Sequence, residues 1–376
     1  MLTLGIIGLL VLITLNLDFL NPVVKVSESF SMTDIYYRIQ HSGERKENKQ
    51  ITLVDMGELT IKDREQIGHI VAKISELEPS ALGVDVIFQK YSDNPEADDA
   101  LAEAFFHAPE NTVLAFELSK PDRNQNTFTS SVHSFFADDT GISEGTVNVV
   151  NNPMRSMTVY PVYFIQDRDT LFSLPVQLAR QMGAEIPDEQ NITINYRDTD
   201  FPVVKWNELD EKRHLISNRI VLLGATDDEA DMHLTPLGKL SGMEIVAYSL
   251  LSVIEGENKK TAPFFIYILW AILAGWVTNV IDLLFTMKLE RKKNIVVLFL
   301  LRSELYARMV SFTILVLFTY ISFILFTRFD YDLSSVLALT TSVLIGEGRT
   351  LYIAFLSVLK RKGVNLWKNS LYAEKI

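Results

Sequence analysis

The stretch QITLVDMGELTIKDREQIGHIVAKISELEPSALGVDVIF at residues 50–88 decides the fold. Its two ends, 50–56 and 81–88, are short runs rich in Val, Ile and Leu, a composition typical of strands buried on both faces. Between them, residues 63–77 carry apolar side chains at helical spacing. These side chains are Ile67, Ile70, Val71, Ile74 and Leu77. A strand, a helix and a strand at this length predict a right-handed crossover between parallel strands.

Further along the chain the same two patterns recur. Residues 112–118 and 219–224 (RIVLLG) are again short apolar runs typical of buried strands, and helices are expected at about 97–106 and at 243–254. The sequence therefore predicts an α/β domain with a parallel or mixed sheet and flanking helices.

Charge is distributed unevenly along the 376 residues. Residues 21–262 carry 22 Lys and Arg against 39 Asp and Glu, whereas residues 263–376 carry 13 against 7. An acidic stretch followed by a basic, apolar one is typical of a domain held on one side of a membrane, with basic helix ends on the other side.

Four apolar segments have the length expected of transmembrane helices. The first is Leu2 to about Leu20, which we interpret as an uncleaved anchor because no basic residue precedes it and no small-x-small cleavage site follows. The others are Pro263–Met287, about Met309 to Thr327, and a run starting at Leu333 and ending near Tyr352.

Basic clusters at 288–293 and 360–362 fall on the same side of the membrane if two spans separate them. We therefore expect an anchor at 1–20, an extracytoplasmic domain at 21–262, and three transmembrane helices within 263–376. This last region is expected to include an amphipathic cytoplasmic segment at 295–301 and a short basic tail, with both termini in the cytoplasm. The lipid bilayer is then a partner of the chain.

Polar residues at the predicted spans form a separate set of candidates. Asp282, Glu347 and Arg349 lie within or near the ends of spans, and Arg302 follows the amphipathic segment. Ionisable groups inside a membrane commonly pair or line a polar path, and a pair of Asp282 with Arg302 or Arg349 is one reading. Placement at the cytoplasmic headgroups is the other.

Three aspartates lie at the ends of predicted strands. Asp55 and Asp85 come late in their strands, and Asp231 belongs to the acidic segment after the RIVLLG strand. Because the carboxyl ends of parallel strands meet at one edge, these residues are candidates for a cation or polar-ligand site. The alternative is that they cap helices or shape turns, which aspartate does in any fold.

The sequence also argues against several functions. It contains no cysteine, its six histidines form no zinc-type pair, and it has no GxSxG motif and no serine beside a plausible base. The acidic balance disfavours nucleic acid as a partner. We therefore expect no enzymatic activity, no metal and no cofactor.

Several stretches resemble the CHASE2 family of bacterial extracytoplasmic sensor domains. They include ITLVDMGEL at 51–59, GVDVIF at 83–88, GTVNVV at 145–150 with the following Arg155, RIVLLGATDDEADMHLTP at 219–236 and SGMEIVAYSLLSVIEG at 241–256. Together with DIYYR at 34–38 and DDALAEAF at 98–105, they cover most of 30–256 in family order. A family segment similar to Trp-Pro-Trp is missing after the first strand, at 57–66.

The resemblance implies a sensor or receptor subunit in a bacterial inner membrane, with Arg155 as an anion contact. Many relatives continue into a kinase, cyclase or diguanylate-type output domain, whereas here we expect signalling through a separate partner protein. A structural or adaptor subunit of an envelope complex is the alternative. The sequence is also compatible with assembly into a homo-oligomer.

Overall fold

The computed structural model describes most of the chain after residue 44. The described residues are 45–122, 127–149, 156–166, 169–196, 199–256, 260–261, 263–289, 304–329, 331–333 and 336–363. The chain divides into two units, one formed by residues 33–260 and the other by residues 1–32 and 261–376. The predicted anchor at 1–20, the amphipathic segment at 295–301 and the end of the tail lie outside the described residues.

Short strands make up much of the first unit. They are β1 (Lys46–Glu47), β2 (Ile51–Asp55), β3 (Ala81–Val84), β4 (Thr112–Asp122), β5 (Thr127–Val132), β6 (Ser143–Thr146), β7 (Val159–Pro161), β8 (Tyr163–Gln166), β9 (Asp169–Phe172), β10 (Asn191–Thr193), β11 (Thr199–Asp200), β12 (Val203–Lys205), β13 (Ile220–Gly224), β14 (Met232–Thr235) and β15 (Gly238–Ser241). A further two-residue strand, β16 (Lys260–Thr261), follows.

Helices alternate with these strands. The α-helices of the first unit are α1 (Arg64–Glu76), α2 (Pro95–Phe106), α3 (Phe135–Thr140), α4 (Leu174–Gln181) and α5 (Gly242–Ile254). Short 3-10 turns occur at Trp206–Glu208, Arg213–Leu215 and Glu229–Asp231.

A seven-stranded sheet forms the centre of this unit. Six strands run parallel in the order β12-β2-β13-β3-β4-β6, and β5 pairs antiparallel with the outer part of β4. The late strand β13 is thus inserted between the early strands β2 and β3, with Gly224 in register with Asp55. This confirms the predicted α/β fold with a mixed sheet, and it aligns the carboxyl ends of β2, β13 and β3.

Helices cover both faces of the sheet. The predicted apolar face of α1 is buried in one core with side chains of α2, α3 and alternate strand residues. On the other face, α4 packs against α5 and lies close to β3, where a Cβ on Gly83 would come within 3.3 Å of Leu178. Burying each large apolar side chain stabilises the fold by about 1.5–3 kcal/mol, so the helical periodicity of α1 fixes which face meets the sheet.

Local sequence signals set where two helices begin. Asn94 caps α2 by accepting a hydrogen bond from the backbone N–H of Ala97, and Pro95 occupies the first turn. At α5, Ser241 and Glu244 form a capping box in which each side chain bonds the other's backbone N–H. The first turn of α5 is therefore fixed in place, which matters for the site below.

The second unit contains three long helices. They are α6 (Phe264–Leu289), α7 (Glu304–Phe329) and α8 (Val336–Arg361), each of 26 residues, with a two-residue strand β17 (Tyr331–Asp332) between the last two. α6 and α7 share a small core around Ala274, Ile314 and Phe318.

The helices differ from the predicted spans mainly at their ends. α7 begins five residues earlier than expected, and α8 continues through Gly346-Glu347-Gly348-Arg349 as far as Arg361. Within the described part of the chain, no helix combines the length and the apolarity that crossing a bilayer requires.

Candidate ligand-binding site

A cavity of about 250 Å³ opens at the carboxyl edge of the sheet, between the end of β3 and the start of α5. Its wall comes from stretches of sequence that are far apart: the residue after β3, the loop after β6, β7, the turn after β13, and the first turn of α5. The lining residues used below are Asp85, Val147, Val149, Tyr160, Asp228, Asp231, His233, Ile245 and Val246. This edge is where parallel α/β sheets commonly bind ligands.

Backbone pairing places Asp85 at the cavity. Its N–H donates to the carbonyl of Leu223 at 2.8 Å, so the ladder between β3 and β13 continues one residue past the strand. Next to it, a Cβ on Gly224 would lie 3.2 Å from the Cβ of Asp85 and 2.5 Å from the Sδ of Met243. Only glycine at 224 allows α5 to begin this close to Asp85.

The surroundings of Asp85 disfavour the charged form of its side chain. The side chain is partly buried, and no described residue donates a hydrogen bond to its carboxylate. Burial first, and then the negative charge of Asp231, raise the pKa of Asp85 from 3.8 to about 7. Among the described residues, this carboxylate has no partner that would stabilise its charge.

Asp231 bridges two parts of the wall. Its Oδ2 accepts a hydrogen bond from the backbone N–H of Gly242 at 3.1 Å, and its Oδ1 lies 3.2 Å from Nε2 of His233. Gly242 is the first residue of α5, so the carboxylate also interacts favourably with the positive end of the helix dipole. This contact ties the 228–233 segment to α5.

Tyr160 completes the polar part of the wall. The residue is fully buried, and its hydroxyl has no hydrogen-bond partner among the described residues. Burial, followed by the charges of Asp85 and Asp231, raises the pKa of the Tyr160 hydroxyl, so it stays protonated. An unpaired buried hydroxyl costs about 1–3 kcal/mol, so a ligand group or a water molecule that bonds to it would be stabilised there.

The three predicted acidic residues therefore separate into two roles. Asp85 and Asp231 meet at the cavity, as the carboxyl-edge argument expects. Asp55 lies at the same edge one strand away, where its Oδ1 accepts a hydrogen bond from the Thr226 N–H at 3.1 Å and holds the turn after β13. For Asp55 the turn-shaping interpretation fits better than the ligand interpretation.

The structure says less about the remaining site residues that the sequence predicts. Arg155 and Arg302 lie outside the described residues, so the anion contact and a pair of Arg302 with Asp282 stay predictions. Asp282 lies on α6, and Glu347 and Arg349 lie on α8. Their interfacial or paired role also stays a prediction.

Sequence reasoning missed Tyr160 and His233. Tyr160 lies in a three-residue strand, and its sequence neighbours give no sign that its hydroxyl reaches the ends of β3 and β14. His233 was considered only as a zinc ligand. One signal in the sequence could have placed the two side chains together, namely the spacing of two residues between Asp231 and His233. Residues two apart in an extended segment point to the same side, and β14 begins between them at Met232.

A second polar cluster lies on the sheet's outer strands. Oγ of Ser131 is 2.8 Å from Nε2 of His133, and Nδ1 of His133 is 2.6 Å from Oε2 of Glu144. A serine does therefore stand beside a base here, contrary to the sequence analysis. Glu144 also accepts the N–H of Ser134 at 2.7 Å, and the half-exposed imidazole stacks on Phe116, so the cluster joins the end of β5 to β6.

Metal binding has little support from the described part of the chain. No group of three or more His, Asp or Glu side chains is arranged there to hold an ion. The described residues of the cavity wall supply carboxylates, but they form no group of three ligands placed to hold a metal ion.

The fold and the cavity define an α/β domain with an acidic cavity at the carboxyl edge of its sheet. A family model for the CHASE2 domain matches residues 6–281, well over half of the chain, and the chain belongs to this family of sensor domains. No curated protein and no solved structure matches the chain.

Proposed function

We propose that this chain is a membrane-anchored receptor that binds a small molecule in the cavity beside Asp85 and Tyr160. The observation that carries the proposal is a pair of polar groups in one cavity, the Asp85 carboxylate and the Tyr160 hydroxyl, to which no described residue forms a side-chain hydrogen bond. Membership of a sensor-domain family supports the same role. The domain would face the extracytoplasmic side of a bacterial inner membrane, a placement that rests on the charge and apolar pattern of the sequence.

Helix α5 is the element through which binding would be transmitted. Its first residue is bonded to Asp231, and two residues of its first turns, Ile245 and Val246, line the cavity. α5 ends at Ile254, ten residues before α6 begins in the sequence. A ligand that interacts differently with two positions of α5 would shift the equilibrium between them, and a separate partner protein would detect the shift.

The test compares the wild-type chain with a variant whose cavity is filled. Ala225 lines the cavity, and Ala225→Leu adds apolar volume there. The tagged full chains are extracted from their own membranes in mild detergent, and both released small molecules and co-purifying proteins are identified by mass spectrometry. We expect a small molecule that is enriched with wild type and lost with Ala225→Leu.

Exposed Asp227, which is not part of the lining, provides the matched control Asp227→Asn. This control should retain the small molecule. If no small molecule distinguishes wild type from Ala225→Leu, and envelope proteins accompany both in a fixed ratio, the chain is a structural or adaptor subunit instead.

A further inference from the structure

The described part of the cavity wall is acidic. Asp85, Asp228 and Asp231 all line it, and none of the described lining residues is a Lys or an Arg. Among the described lining residues, only the His233 imidazole can carry a positive charge, and its Nε2 lies 3.2 Å from Oδ1 of Asp231. Two carboxylates close enough to raise a neighbour's pKa repel each other, so a bound positive charge would relieve the repulsion.

Anions and metal ions fit this wall poorly. The N-terminus of α5 usually attracts anions, but the Gly242 N–H is already bonded to Asp231, and Ser241 and Glu244 cap each other. A divalent ion would need a group of ligands that the described residues do not provide. A neutral molecule would leave the charge of Asp85 unpaired.

We propose that the cavity binds a small organic cation, with a primary ammonium group held by the carboxylates of Asp85 and Asp231 and by the hydroxyl of Tyr160. This inference rests on the proposed function, for which it supplies the ligand class. An ammonium group has three N–H donors, and these three side chains offer three acceptors. The buried hydroxyl is the independent sign of a ligand, since it lines the same cavity and has no partner among the described residues.

The rest of the wall suits a short apolar chain attached to the ammonium. Val147 and Val149 after β6, and Ile245 and Val246 of α5, line the cavity. At about 250 Å³ the cavity lies just below the usual range of ligand pockets, about 300–1,000 Å³, so the cation is a metabolite-sized one.

Protons should compete with the cation. The groups facing Asp85 are Tyr160 on β7 and Asp228, Asp231 and His233 in the segment that includes β14. Protonation of Asp85 removes the negative charge that the ammonium needs. This change weakens binding, so the apparent Kd should rise about tenfold per pH unit below pH 7.

The experiment uses the full chain in lipid nanodiscs, first dialysed at pH 5 so that a resident cation is released. Butylammonium, butanol and butanoate are then titrated at pH 8 in a calorimeter, with empty nanodiscs as the blank. We expect saturable binding of butylammonium alone. Asp85→Asn and Asp231→Asn should each weaken binding at least tenfold, and Tyr160→Phe several-fold, whereas Asp227→Asn should stay within twofold of wild type.

The possible negative results bear differently on the cation proposal and on the proposed function. Butylammonium that does not bind at pH 8, or that binds Asp85→Asn and Asp231→Asn as tightly as wild type, overturns the proposal. Equal binding of butanol or butanoate also overturns the cation class, while it leaves a ligand cavity in place. The proposed function itself fails if no released small molecule distinguishes wild type from Ala225→Leu, whatever the result with these probes.

Discussion

At the scale of single residues, Gly224 sets how closely the end of β13 approaches the first turn of α5. A Cβ at this position would lie 2.5 Å from the Sδ of Met243 and 3.2 Å from the Cβ of Asp85. Real Cβ atoms essentially never lie as close as 2.5 Å to another heavy atom, so either α5 or the side chain of Met243 must move.

We predict that Gly224→Ala lowers the free energy of unfolding by about 1–3 kcal/mol, because it overpacks a filled core. Pulse proteolysis of the full chain in urea measures the change. Since Met243→Ala removes the contacted sulfur, Gly224→Ala should cost much less in that background. Equal costs in the two backgrounds would mean that Met243 is not the limiting contact.

Asp85 should make the stability of the ligand-free protein depend on pH. Its pKa is raised from 3.8 to about 7 in the fold, so between these values the folded state binds more protons than the unfolded state. Stability contributed by the protonated carboxyl is then present below pH 4 and is lost as the pH rises to 7.

We predict that Asp85→Asn removes this pH dependence. The variant and wild type should be about equally stable at pH 4, and the variant should be more stable by about 2–4 kcal/mol at pH 8. Urea unfolding at a series of pH values tests the sign. A variant that is less stable than wild type at pH 8 would show that the carboxylate has a favourable partner.

At the scale of elements, a buried ion pair joins the start of α1 to α2. Arg64 and Asp98 are 4% and 2% exposed, and their side chains are in contact. The guanidinium also lies 5.6–5.7 Å from the ring centroids of Phe88, Phe135 and Phe136. Asp98 additionally accepts the Ser92 N–H at 2.7 Å, so one carboxylate organises the loop before α2.

We predict that Asp98→Ala destabilises the protein by about 3–5 kcal/mol, because it leaves a buried guanidinium unpaired. Replacing both partners, as Arg64→Met with Asp98→Leu, should recover most of that loss in the same urea assay. Lys73→Ala on the same helix is the control. Lys73 pairs with Asp210 and Glu76 on an exposed surface, and its loss should leave the unfolding midpoint nearly unchanged.

The sequence predicts the secondary-structure elements more completely than it predicts the candidate site. The central strands and helices α1, α2 and α5 match the periodicity and composition to within a few residues, because burial on a sheet imposes those patterns. The candidate site is predictable only in part. The ends of the strand patterns predict that Asp85 and Asp231 lie at the carboxyl edge of the sheet, where the structure has them, and their role in ligand binding stays a prediction. Tyr160 reaches the cavity through the tertiary path of a short strand that no local pattern reveals.

At the scale of the whole molecule, the absence of cysteine makes the proposed membrane placement testable with single introduced thiols. Glu211, in the first unit, and Lys362, just after α8, are both exposed. We predict that Glu211→Cys reacts with a membrane-impermeant maleimide in intact spheroplasts, whereas Lys362→Cys reacts only after permeabilisation. Labelling of both without permeabilisation would contradict the predicted placement of the C-terminus.

The insertion of β13 between β2 and β3 has a consequence for how the chain is made. Synthesis proceeds from the N-terminus, so β2 and β3 emerge with a gap of one strand between them, about 130 residues before β13 can fill it. Until then their inner edges expose unpaired backbone groups to other chains. We therefore expect the unfinished sheet to be prone to aggregation until β13 is made, and the cavity, which needs the end of β13 and α5, to be among the last parts to form.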